Sequence, residues 1–124
     1  MSASFDNQGS YAHDNLLAGD FPRVERKATV ASGAGELKRG SVLALDGAGK
    51  AVLVDSGSGT ASVQDPHAVL AHDVDATAAD AEAIVYYTGE FNEGALVFGG
   101  TDTIDTHRDA LRGLSIFTET NVGA

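Results

Sequence analysis

The chain has no cysteine and no tryptophan, only one methionine and two prolines, and aromatic residues make up just 6% of it. The lack of thiols excludes disulfides and thiolate metal sites, and it removes redox chemistry as a guide to compartment. With so few rings and abundant Ala and Gly, the core has to be assembled from small and aliphatic side chains. Such a core gains limited hydrophobic stabilisation per residue, so burial between subunits is a natural supplement. A run of about eighteen consecutive apolar residues is missing, as is the basic, apolar, small-residue order of a signal peptide. These two absences predict no membrane association and synthesis in the cytoplasm of a host cell.

Positive charge is scarce too. Eight basic residues face eighteen acidic ones, for a formal charge of −10. Apart from Arg23, Arg26 and Lys27, and the neighbours Lys38 and Arg39, the cations are scattered. Nucleic-acid affinity rests on neutralising phosphates, so this balance predicts no nucleic-acid partner. It suits solubility and a solvent-facing role. The length of 124 residues fits one domain able to bury roughly two-thirds of its unfolded surface.

Along the chain, residues 1–20 are rich in Ser, Asp, Asn and Gly, with Phe5, Tyr11, Leu16 and Leu17 as isolated apolar anchors. This reads as a flexible arm, or equally as a frayed terminus. Isolated apolar residues in a polar arm are what strand addition or docking onto a partner uses. Residues 21–118 read as a β-rich domain and 119–124 as a polar tail. Val24 to Val30 alternates as a half-buried strand with Arg26 out of pattern, and Ser32 to Gly35 supplies a turn. Ser41 to Leu45 and Ala51 to Val54 form a hairpin whose lack of alternation predicts burial on both faces. Asp55 to Pro66 is a polar surface loop. His67 to Val74 reads as a strand and Asp75 to Ala81 as a connection or a single helical turn.

Glu82 to Phe91 is the best strand of the sequence, apolar on both sides, and Gly94 to Phe98 follows as another. Asp102 is placed to cap a helix with Ile104, His107, Leu111 and Leu114 on one side, Arg108 and Arg112 near its negative end, and Gly113 as terminator. Ile116 and Phe117 close the fold. Many short strands, frequent Gly turns and one short helix indicate a mainly β fold, a small compact barrel-like domain carrying an extended N-terminal arm.

Catalytic patterns fail one by one. Gly47, Ala48, Gly49 and Lys50 lack the earlier glycine and the following hydroxyl of a phosphate loop, and fit a hairpin turn. Gly33, Ala34 and Gly35 lack the third glycine and the helix of a dinucleotide fingerprint. His72, Asp73, Asp75 and Asp80 could surround a hard cation, but an acidic sequence produces such clusters by chance. Asp55, Ser56, Gly57, Ser58 and Gly59 do not form a nucleophile elbow. The expectation is a protein with no catalytic residue, no metal and no cofactor.

Four stretches carry a resemblance: DNLLAGDFP (14–22), LKRGSVL (37–43), LAHDVDATAADAEAIVYYTGEFNEGALVFG (70–99) and RDALRGLSIF (108–117). Through them residues 11–117 resemble the bacteriophage head decoration protein family, the group that includes the lambda head protein D. The long central stretch is the most specific, and the loop at 55–66 matches least. The resemblance implies a compact, tulip-like β domain that forms homotrimers and docks at three-fold and quasi-three-fold positions on the outer surface of an expanded head, as a virion structural protein. It further implies that the arm orders against the major capsid protein. On that reading the capsid-binding residues are Tyr11, Leu16, Leu17, Phe21 and Pro22, with Leu16 and Leu17 filling pockets.

Two other classes remain to be weighed. Lys50 near a hairpin tip is where a biotinyl or lipoyl carrier domain is modified, although no Met flanks it. An enzyme is disfavoured by the absence of any paired nucleophile and base.

Overall fold

The computed structural model of the protein describes residues 16–120. Among the described residues nine strands and one α-helix carry the fold: β1 (Glu25–Val30), β2 (Gly35–Leu37), β3 (Val42–Leu45), β4 (Ala51–Leu53), β5 (Ala68–Leu70), β6 (Val74–Ala76), β7 (Ala81–Tyr86), β8 (Gly89–Asn92), α1 (Ile104–Gly113) and β9 (Ile116–Glu119). Five of them close into a barrel in the order β1, β4, β3, β5, β7. β2 and β6 form an antiparallel ribbon, and β8 and β9 a parallel one. The mainly β, barrel-like expectation is met.

Strand residues alternate between faces, and this alternation divides the core in two. Leu43 of β3 points into the barrel with Val30, Ala51, Ala68, Leu70, Ala83 and Val85, joined by Leu37 and Ala76 from the β2–β6 ribbon. Its neighbours Val42 and Ala44 point out through the wall. There they meet Val69, Tyr86, Val54 and a second layer formed by Leu16, Phe91, Leu96, Leu111 and Ile116. The run Val42, Leu43, Ala44 is wholly buried for this reason, as its lack of alternation predicts.

Several boundaries differ from the sequence reading. Glu82 to Phe91 is two strands, because the chain leaves the barrel after Tyr86. Thr88 Oγ1 donates to Pro22 O at 2.7 Å and accepts from Val24 N at 3.0 Å, so a side chain replaces the ladder at that point. Gly89 then takes φ +150°, and a Cβ there would lie 2.8 Å from Phe91 Cζ. His67 to Val74 splits into β5 and β6, and Asp75 and Ala76 belong to β6 rather than to a connection.

Gly94 to Phe98 is not a strand. Asn92 Oδ1 accepts from Gly94 N at 3.1 Å and turns residues 93–95 into a short 3₁₀ segment, leaving one parallel bridge between Ser41 and Val97. That bridge lies beside Gly40, whose φ is +96° and where a Cβ would meet Ala95 O at 2.4 Å. The loop after Val54 contains a 3₁₀ segment at Ala61–Gln64.

Helix α1 runs as expected from Ile104, but its N-cap is Thr103, with Thr103 N donating to Thr106 Oγ1 at 3.1 Å. Asp102, expected as the cap, is turned elsewhere. Leu114 lies past the end of the helix and is 41% exposed, not on its buried side.

Candidate functional site

The first described residues, from Leu16, are laid along β8. Asn92 N donates to Leu16 O at 2.7 Å and Ala18 N to Glu90 O at 3.0 Å, with an antiparallel bridge between Leu17 and Phe91. β9 pairs with the other edge of β8 from Ile116–Gly89 to Glu119–Asn92. Residues 16–18, the root of the arm, therefore complete a three-membered mixed ribbon with β8 and β9, and their two backbone bonds to β8 are ones that a detached segment would give up to water.

Side chains fix this root. Leu16 is 1% exposed and packs in the same cluster as Phe91. Glu90 Oε1 accepts from Phe21 N at 2.9 Å, and its carboxyl reaches so close to Gly19 that a Cβ there would sit 2.6 Å away. The Phe21 ring meets Phe117 edge-on at 4.9 Å. Glu119 lies near Glu90, and a hydrogen bond shared with that carboxyl, aided by desolvation and like charge, holds the Glu119 carboxyl above the usual range.

Of the five residues expected to contact a partner, the structure brings four together on this root. Leu16 is turned into the protein's own core, so the pocket it fills here lies in its own subunit. Leu17 and Phe21 are half-buried and Pro22 is exposed. Tyr11 and Phe5 lie outside the described residues. Glu90 and Thr88, which bind the root, were not singled out in the sequence; a charged residue between Gly89 and Phe91 in an otherwise apolar strand was the available signal.

A second polar cluster ties loop 55–66 to the start of α1. The Asp102 carboxylate accepts from Ser56 Oγ, from Ser56 N at 2.7 Å and from His107 Nε2 at 2.7 Å. The side chains of Asp102 and His107 are each 3% exposed, and His107 stacks on Phe98 at 5.5 Å. Burial pushes the Asp102 carboxyl up, but the bonds from Ser56 and His107 outweigh it and hold the group below its ordinary value. Serine, aspartate and histidine are all present, yet Ser56 bonds to the carboxylate and not to the imidazole. The hydroxyl donates to a carboxylate held below its ordinary pKa, which is a weak base, and not to the imidazole that would activate a nucleophile; the cluster ties loop 55–66 to the start of α1.

The residues considered for a metal are separately engaged. His72 Nε2 accepts from Ile84 N at 3.0 Å, and Asp73 accepts from Arg39 N at 2.8 Å. Asp75 accepts from Thr77, while Asp80 accepts from Lys50 at 2.6 Å and from Ser32 N at 2.8 Å. Among the described residues no group of three or more His, Asp or Glu side chains is arranged to hold a metal ion, and no helix is long and apolar enough to cross a membrane. Lys50, the candidate carrier lysine, follows the turn at Asp46–Gly49 and is held by Asp80, whose carboxylate raises its pKa.

No curated protein matches the chain. A family model does: the one described as bacteriophage lambda head decoration protein D matches residues 7–117, which takes in the arm root, the whole barrel, α1 and the start of β9. The matched segment spans both layers of the core, and on that evidence the chain belongs to the phage head decoration protein family, whose place is the viral capsid.

Proposed function

We propose that the protein is a non-enzymatic cement of the phage head. It binds as a homotrimer to the outer surface of the expanded shell at three-fold and quasi-three-fold sites and links neighbouring subunits of the major capsid protein. A trimer that binds the mature shell more strongly than its immature or dissociated forms stabilises that shell by mass action. Three arms on one trimer add avidity, because each later contact is intramolecular.

The observation that carries this reading, beside the family match, is the clamped root. Leu16 and the β8 ribbon hold the chain at a defined point on the body, so residues 1–15 start from a fixed origin. Leu17, Phe21 and Pro22 flank that origin as the nearer contacts and Tyr11 is the farther one, while Leu16 acts as their anchor.

The test is to mix the purified protein with undecorated expanded heads and image the three-fold positions. Density is expected there, and deletion of residues 1–15 is expected to leave a folded trimer that no longer binds. A monomer indifferent to heads, or a truncated chain binding with full affinity, sinks the proposal.

A further inference from the structure

Two carboxyls meet where the root of the arm crosses β8. In the parallel register of β8 and β9, Phe117 stands opposite Glu90 and Glu119 opposite Asn92. Partners that stand opposite share a face of the ribbon, and faces alternate along each strand. Phe91 and Ile116 point into the outer core cluster, so Glu90, Phe117 and Glu119 lie together on the other face. The root covers that face. The Phe21 ring meets Phe117 at 4.9 Å, and Phe21 N donates to Glu90 Oε1 at 2.9 Å. Gly19 walls the Glu90 carboxyl so closely that a Cβ there would sit 2.6 Å away. Glu119 hydrogen-bonds to the same carboxyl.

A hydrogen bond between two carboxyls requires a proton, because ionised carboxylates are acceptors only. With one proton the pair is joined and Glu90 is pinned against the root. With none, like charges repel. Glu90 has no room to retreat past Gly19, so the exposed Glu119 at the end of β9 is the side chain that swings into water. Nearby cations do not offset the repulsion, for among the described residues neither carboxyl has an ion-pair partner. Arg108 and Arg112 of α1 border Phe117 and Thr118, but Arg108 is engaged by Glu93 and Asp105 and Arg112 by Asp109. Glu93 is bound by Thr118, whose side chain lies on the core side of β9. On the root's own segment, Asp20 is exposed, and Arg23 lays its stem near Gly89, where a Cβ would sit 3.1 Å from Arg23 Cγ.

We propose that Glu90 and Glu119 form a proton-operated latch on the root of the arm. One shared proton closes it and sets residues 16–21 firmly along β8. The doubly ionised pair leaves Glu90 with Phe21 N and loosens the root. The latch stands whether or not the protein binds heads; under the head-binding reading it also sets how firmly residues 1–15 are held at their origin. The bond to Glu90, aided by desolvation and like charge, holds the Glu119 carboxyl above its ordinary value. Its stabilising contribution is therefore fully present below the unfolded value of about 4.3 and is lost as pH rises through the folded value. Mild acid closes the latch and neutral pH opens it.

Two substitutions at an exposed strand end separate the states. Glu119→Gln supplies a neutral donor at every pH and keeps the latch closed, whereas Glu119→Ala removes the side chain and keeps it open. Amide exchange on the full chain is followed by NMR at Phe21 and Ala18, as protection relative to the unstructured rate at each pH, with the amides of β1 paired to β7 as internal reference. In wild type, protection at both positions is expected to rise about threefold or more from about pH 7 to about pH 4.5, while the reference stays level. Glu119→Gln is expected to be high and flat over that range, and Glu119→Ala low and flat. Wild-type protection that does not change, variants that keep the wild-type rise, or a rise shared equally by the β1 amides each overturn the latch.

Discussion

The inside of the barrel and the outside of its covered wall are both dry, yet they are built from different material. Four of the nine residues in the inner cluster are alanines, and none is aromatic. The outer cluster holds Phe91, Tyr86, Leu16, Leu111 and Ile116, drawn from both ends of the described chain. The narrow five-stranded barrel is filled by alanines, valines and leucines with no ring among them, so the bulkiest hydrophobic burial comes from what is laid against it. The lesson is that the arm root and the C-terminal segment are a major part of what stabilises this domain. Phe91 is the residue on which both depend. Replacing it by Ala is expected to cost about 4 kcal/mol in urea unfolding, the largest effect foreseen. A loss below about 1 kcal/mol would mean that the two layers are energetically separate.

Leu16→Ala tests the arm side of the same layer. The side chain is fully buried at the end of a short clamped segment, so a cost of about 3 kcal/mol is expected. Hydrogen exchange should speed first at the amides of Ala18 and Asn92, which bond across the root. Uniform loosening of the barrel amides instead would place Leu16 in one cooperative unit with the inner cluster.

The clasp at Asp102 offers a smaller perturbation, read through pH. Its folded-state pKa is depressed, so the group contributes stability above its unfolded value near pH 4, and that contribution is lost as pH falls through the folded value. Asp102→Asn should cost about 2 kcal/mol at neutral pH, by weakening a bonded buried network. It should also flatten the dependence of stability on pH below about 4. An unchanged acid limb would assign acid sensitivity to other carboxylates, such as Glu93, which Arg108 and Thr118 hold below its ordinary value.

The barrel and helix α1 were the more legible in the sequence. The unbroken run in β3 announced burial on both faces, and the spacing of Ile104, His107 and Leu111 announced α1, because these signals are local and periodic. The rest of the outer layer was less legible, because its signals are tertiary. Tyr87 and Thr88 have good strand chemistry, and only the bonds from Thr88 to Pro22 and Val24 end β7 there. An isolated Leu16 in a polar stretch looks the same whether it fills a pocket in its own subunit or in a partner. Asp102 and Thr103 are both good caps, and the choice went to Thr103 because His107 and Ser56 hold the carboxylate. The candidate arm residues could be named from sequence, but the division between anchor and outward contact could not.

The smallest expected effect concerns Leu114, which separates subunit stability from assembly. It sits at the end of α1, beyond the buried stripe, at 41% exposure, so Leu114→Ser should change unfolding by no more than about 0.5 kcal/mol. A large apolar side chain left in water at the end of an otherwise charged helix contributes nothing to the isolated domain, whereas Leu111, one turn earlier, is completely buried. If Leu114→Ser leaves unfolding unchanged but shifts the proposed trimer to lower mass in light scattering, the outer layer continues across the subunit boundary, and the aromatic and aliphatic burial missing from the barrel interior is completed by a neighbouring subunit. If trimer mass is also unchanged, the outer layer ends within the subunit at Leu111 and Ile116, and the assembly must be held by surfaces other than the end of the helix.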